Sequence, residues 1–102
     1  MIYTITAIEK RENKMPNNRT FGYFTSLKRS FLAVEHNEYD MHEGSYNFIV
    51  IEKLRTGIHP VPPEDEWWYR WHKDDERWVF LGNGRFGGRP KQFSHVCNWS
   101  IG

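Results

Sequence analysis

Hydrophobic and polar positions along the chain divide it into short alternating segments with one helical stretch. Tyr3, Ile5 and Ala7 alternate with Thr4 and Thr6, the period-two pattern of a half-buried strand. Residues 9–18 are charged and close on Pro16-Asn17-Asn18, which reads as a loop. Residues 19–24 form a short strand interrupted by Gly22, a position that implies a bulge or a close backbone approach. Thr25 or Ser26 suits the N-cap of a helix whose buried stripe is Leu27, Phe31 and Val34, at spacings of four and three. Asn37 is placed to end that helix in a left-handed conformation, and residues 38–45 make a polar connection. Residues 46–51 are nearly continuous apolar, which predicts a central strand covered on both faces.

Beyond that strand, residues 52–57 are expected to leave the sheet, and Pro60, Pro62 and Pro63 keep the chain irregular up to residue 66. Residues 67–72 resume a strand with Trp67, Tyr69 and Trp71 on one face and Trp68, Arg70 and His72 on the other. Residues 73–76 read as a polar hairpin loop and 77–81 as the returning strand. Residues 82–91 hold four glycines and three cations and read as a flexible loop, followed by a last short strand over 93–99. The fold class is α+β: a small antiparallel sheet with one helix packed on one face, in a single domain spanning 1–102. Ile5, Phe48, Val50 and the helix stripe are expected to fill the covered face, leaving the other face open.

Composition removes several classes of function. With 38% hydrophobic and 17% aromatic residues, the 102-residue chain has a modest core rich in rings, unlike a disordered segment. No apolar run reaches the roughly 18 residues of a membrane helix. Residues 1–7 read as a strand rather than a secretion signal, and the expected location is the cytoplasm. The single Cys97 excludes an internal disulfide framework and a cysteine-based zinc cluster. His36, His42, His59, His72 and His95 show no helical metal-binding pair, and none is followed two residues later by Ser or Thr. Cys97 lies two residues from His95 without a third orienting group. The glycines at 82, 84, 87 and 88 match no phosphate-loop or dinucleotide pattern, and the acidic runs at 64–66 and 74–76 lack the ligand spacing of a calcium loop. The expectation is a non-enzyme without cofactor or metal.

Charge and aromatics then point toward a ligand. The net charge of +1 conceals an asymmetry: residues 1–76 carry ten basic and thirteen acidic side chains, whereas residues 77–102 carry Arg77, Arg85, Arg89 and Lys91 and no acid. That distribution does not suit duplex DNA, which needs a broad basic field, but it does suit a small anion. Indoles left over after the covered face is filled have two roles open to them, a binding surface or a core and dimer interface.

Residues 19–24, the helix ending Ala33-Val34-Glu35-His36-Asn37, residues 46–52, Gly57-Ile58-His59-Pro60 and Trp68-Tyr69-Arg70-Trp71 occur in an order that resembles a widespread family of small proteins from Gram-positive bacteria and their phages. The resemblance spans residues 19–71; the glycine-rich basic stretch after Leu81 lies outside it. Such phage proteins are similar in kind to anti-CBASS sponges, which sequester cyclic nucleotide signals of host immunity. The resemblance implies binding without catalysis, in a homodimer, within the host cytoplasm if the chain is phage-encoded. Arg19, Thr20, Asn37 and Glu52 fall on its polar positions.

Combined with the residues themselves, this gives a leading expectation of a cyclic di- or oligonucleotide ligand. Trp68, Tyr46 or Trp71 would stack on a base, Arg19, Arg85 and Arg89 would pair with phosphates, and Thr20 would offer a hydroxyl. The alternative is a protein-binding inhibitor of a host enzyme acting through the same aromatic patch. Single-stranded nucleic acid is a third option, disfavoured by the acidic body.

Overall fold

The computed structural model describes residues 1–11, 16–42, 46–55, 63–93 and 99. Five strands, β1 (Ile2–Glu9), β2 (Asn17–Phe24), β3 (Phe48–Leu54), β4 (Asp65–His72) and β5 (Arg77–Asn83), form one antiparallel sheet in the order β2-β1-β3-β4-β5. One helix, α1 (Leu27–Glu35), crosses one face. Single-turn 3₁₀ segments cover Glu38–Asp40, Gly84–Phe86 and Lys91–Phe93. The α+β class and the one α-helix among the described residues are as the periodicity implies. No helix among the described residues is long and apolar enough to cross a membrane.

Local chemistry explains the helix bounds. The Ser26 hydroxyl accepts the Arg29 amide at 3.2 Å, satisfying one of the helix's unpaired N-terminal donors. At the other end Asn37 turns left-handed, with φ 47°. Its side-chain oxygen accepts the Trp78 indole N–H at 3.0 Å, tying the helix end to β5. Small residues, Ser30 and Ala33, lie buried beside Val34, so the helix sits close to the sheet, while Leu27 and Phe31 pack half-buried at its flanks.

Two bulges shape the edge strands. In β2, Ile5 faces Gly22 and Thr6 faces Thr20, so Phe21 is the extra residue beside the glycine, as Gly22 implies. In β5, Trp68 faces Gly82 and Tyr69 faces Phe80, so Leu81 is extra.

The face assignment of the central strand is reversed from the expectation. Ile49 and Ile51 face the helix with Ile5, Ala7, Tyr69 and Trp78, whereas Phe48 and Val50 face the opposite side with Ile8 and Trp68. A shift of one residue inverts every side chain of a strand, and both sets here are apolar enough to be buried. Nor do residues 52–54 leave the sheet. β3 continues through Leu54, and Glu52 is fully buried opposite Glu66. The strand's environment is that of a central strand covered on both faces, as its composition requires.

The second face is therefore not open. After β5 the glycine-rich stretch folds back across the sheet instead of forming a flexible loop. Gly82 and Asn83 belong to β5, the Gly88 amide donates to the Asn83 carbonyl at 2.9 Å, and Gly88 packs so tightly on Gly82 that a Cβ there would strike backbone atoms. Phe93 stacks on Trp68 with centroids 5.7 Å apart, and Trp99 meets both rings edge-on. Phe93 closes a 3₁₀ turn; the rest of the expected last strand, residues 94–98, lies outside the described residues, as do residues 56–62.

Candidate functional site

Most of the aromatic surplus is interior. Trp68, Trp78 and Trp99 are buried, and Trp67 and Trp71 are half-buried against the helix-side cluster. Of the two roles open to the leftover indoles, a core role describes the three buried ones, because the helix-side cluster takes Trp78 and the back-folded C-terminal segment supplies a second core that takes Trp68 and Trp99.

Polar groups are buried beside that second core. The Glu66 carboxylate receives a two-pronged ion pair from Arg89, Nε to Oε1 and Nη2 to Oε2 both at 2.6 Å, and accepts the Trp68 indole N–H at 3.0 Å. Arg89 also donates to the Phe93 carbonyl at 3.2 Å and lies over the Trp68 ring. Glu52 accepts the Trp99 amide at 3.1 Å, and Asn18 of β2 donates to the Trp99 carbonyl at 2.8 Å. Residues 84–93 together with Trp99 thus form a strap, pinned to the sheet by charge-assisted bonds.

The seven residues singled out in the sequence do not converge. Arg19 is exposed on β2 with its guanidinium 4.8 Å from the Phe21 ring centroid, and Tyr46 meets the same ring edge-on at 6.1 Å. Thr20 shares a hydrogen bond of 2.9 Å with the Thr6 hydroxyl. Trp71 stacks on His42 at 3.9 Å, and the His42 ring shares a 3.0 Å hydrogen bond with the Tyr46 carbonyl, so Trp71 lies near Tyr46 on the helix side of the sheet, away from Trp68 and Arg89. Trp68 and Arg89 come together, but inside the strap. Arg85 donates to the Glu64 carbonyl and stands 3.9 Å from Asp65. Asn37 and Glu52, the polar positions of the resemblance, serve the helix end and the strap.

Where the strap meets the sheet, a groove of about 350 Å³ opens, lined by Phe48, Arg70, Leu81, Gly87 to Gly88, Arg89 and residues 90–92. Among the described residues, three cations and no acid line it. Arg89 is committed to Glu66 below. Arg70 and Lys91 are exposed, and their side chains have neither ion pair nor hydrogen bond with any described residue. The β5 bulge pushes Leu81 outward to make an apolar wall, and Gly87, left-handed at φ 88°, brings bare backbone to the rim.

Two other concavities differ in character. A cleft of about 160 Å³ beside the β2 bulge is lined by apolar side chains such as Ile5, Phe24, Ala33 and Met41. A depression of about 400 Å³ at Trp71 and His42 mixes Asp40 and Glu76 with Lys73, so its charges offset one another. Among these three, the strap groove is the one lined by cations without an acid among the described residues; the cleft's charged residue is Glu38, already paired with Arg29.

Sequence reasoning passed over Arg70 and Lys91. Arg70 carried a signal, since it alternates onto the same face as Trp68, but which cations are free depends on acids distant in the chain. Comparison with family models, curated proteins and solved structures found no match to this chain.

Proposed function

We propose that this protein binds and sequesters a small phosphate-bearing ligand, of the class of cyclic di- and oligonucleotides, without transforming it. The observation that carries this reading is a groove with no acid among its described lining residues, in which Arg70 and Lys91 have no ion pair or hydrogen bond with a described residue and stand beside glycine backbone and an apolar wall. A guanidinium meets phosphate oxygens bidentately and an ammonium adds a point charge. Each charge-assisted bond contributes about 1.5–3 kcal/mol, so two such contacts place a phosphate ligand in roughly the millimolar range or tighter before any base contact. Arg70 and Lys91 replace Arg19, Arg85 and Arg89 as the phosphate-binding pair in this proposal. A homodimer and a cytoplasmic setting belong to the same reading.

Calorimetry against a panel of cyclic di- and oligonucleotides tests it, with recovery of intact ligand after heat denaturation. Binding is expected for at least one member and is expected to vanish in the Arg70→Glu, Lys91→Glu double variant at unchanged melting temperature. No heat across the panel rejects the proposal.

A second reading, inhibition of a host enzyme through protein contact, is favoured by one feature elsewhere. Tyr39, 92% exposed, stands at the rim of the apolar cleft on a turn where Asn37, Tyr39 and Asp40 all hold positive φ. Such strain clusters at functional sites. A stoichiometric host protein captured by the wild type and lost in Tyr39→Ala would favour this reading over the nucleotide.

A further inference from the structure

We propose that β5 pairs edge to edge with β5 of a second copy about a two-fold axis through Val79, bringing Arg77 of the partner subunit into the strap groove; the role of Arg77 rests on that groove being the ligand site, the pairing does not. β5 ends the sheet, and among the described residues no segment pairs with its outer side. The neighbouring strands fix which way its backbone points. The Trp71 amide donates to the Asn47 carbonyl at 3.0 Å, so Trp71, and by alternation Tyr69, bond toward β3. Arg70 and His72 therefore bond toward β5, with Val79 and Arg77 as their partners. Trp78 and Phe80 are left aiming their amides and carbonyls out of the sheet.

The chemistry of that edge selects a copy of itself. With the axis at Val79, Phe80 of each copy meets Trp78 of the other, and the outward groups of both residues are satisfied reciprocally. An axis at Trp78 or at Phe80 pairs that residue with itself and leaves the other without a counterpart. Half-buried Val79 then meets Val79, and Arg77 meets Leu81 rather than a second arginine. Phe80 is 51% exposed although its ring lies against Phe31 and Tyr69, and it gains a cross-strand aromatic neighbour in Trp78 of the partner subunit. The opposite edge is built differently: β2 carries Asn17, Asn18 and Arg19 on one side of its bulge, and charge and bulges keep an edge unpaired.

The same register reaches the groove. Val79 and Arg77 lie on the face of Arg70, and Leu81 lines the groove with it. Arg77 is exposed, its contact with Asp75 loose at 3.6 Å. Arg77 of the partner subunit, beside Leu81, adds a cation to Arg70 and Lys91. These like charges repel one another until an anion binds, so the anion and the second copy strengthen each other's binding.

Analytical sedimentation across a concentration series, with and without inorganic phosphate, tests the pairing. A monomer–dimer equilibrium is expected, shifted toward dimer by phosphate. A residue on a two-fold axis meets itself, so Val79→Glu and Val79→Lys are each expected to be monomeric and their mixture to dimerise, which also shows that both fold. In a Cys97→Ser background, Val79→Cys is expected to form an interchain disulfide on mild oxidation. Arg77→Cys is not, since its two copies lie about 13 Å apart along the strands, beyond a disulfide's span. Arg77→Ala is expected to stay dimeric and to bind phosphate about ten- to a hundredfold more weakly, the loss of one charge-assisted contact. A wild type that stays monomeric throughout, a Val79→Cys that does not cross-link, or a Glu and Lys mixture that does not associate overturns the pairing. A dimer that binds phosphate without tightening, or equally well in Arg77→Ala, overturns the partner's contribution to the groove. An intact dimer that binds no phosphate rejects the groove as the ligand site, and the role of Arg77 with it, while the pairing stands.

Discussion

The two faces of the sheet are closed by different physics. On the helix side, α1 lays Ala33 and Val34 over Ile5, Ala7, Ile49 and Ile51, and Phe31 meets Trp67, Tyr69 and Phe80 edge-on. Apart from the Tyr69 and Ser30 hydroxyls and the ties made by Asn37, that interface is apolar, and its stability scales with buried area. On the strap side, a short irregular segment supplies only Phe93 and Trp99 among the described residues, and its attachment depends on Glu66, Arg89 and Glu52. A helix brings its own satisfied backbone to a face; a strap does not, and needs charged side chains to hold it. The difference teaches that the cations around the strap divide into two groups. Arg89 holds the fold, whereas Arg70 and Lys91 have no ion pair with any described residue, and the proposal assigns them to a ligand.

The largest effect is expected at the strap. Arg89→Met leaves the Glu66 carboxylate buried and uncompensated, which costs about 3–5 kcal/mol. The melting temperature falls, and tryptophan emission shifts to the red as Trp68 meets water. Arg29 makes an ion pair of similar two-pronged geometry with Glu38, at 2.6 and 2.8 Å, but in the open beside α1. There the guanidinium holds the Glu38 carboxyl below its usual range chiefly through the hydrogen bond. Arg29→Met is expected to leave the melting temperature within error, because exposed pairs contribute little. Equal losses in the two variants would erase the distinction between the faces.

A smaller effect is expected on the helix side at high pH. Burial raises the Tyr69 phenol above its ordinary value, with Glu35 adding to the shift. Above about pH 10 the unfolded chain releases a proton that the native state keeps, so stability falls as pH rises. Thermal melts between pH 8 and 11 should show this decline in the wild type and a shallower one in Tyr69→Phe. Parallel curves would mean that Tyr69 ionises as readily folded as unfolded.

Local pattern made much of the fold legible. The alternation of β4, the Ser26 cap, the Asn37 turn and the Gly22 bulge each rest on chemistry within a few residues, and each is where that chemistry puts it. What escaped was set by distance. Glu52 in a central strand violates every local preference, and the Trp99 amide that compensates it is 47 residues away. Phe48 and Val50 alternate with Ile49 and Ile51, and nothing in four apolar residues says which pair the helix will claim. The glycines at 84 and 88 read as mobility, whereas they are needed for close approach to Glu66 and Gly82. Of the site, the cationic character of the C-terminal quarter was legible. Which cations lack an ion pair among the described residues was not, because Arg89 is claimed by Glu66, 23 positions earlier.

The central claim is that Arg70 and Lys91 at the strap groove, rather than the cleft at the β2 bulge, receive the ligand. Amide chemical-shift mapping during titration with a cyclic dinucleotide tests this most directly. The account predicts shifts concentrated at Arg70, Leu81, Gly87 to Gly88 and Lys91, with β2 and α1 unmoved. Shifts centred on Phe21 to Phe24 and Tyr39, with the groove silent, would contradict it.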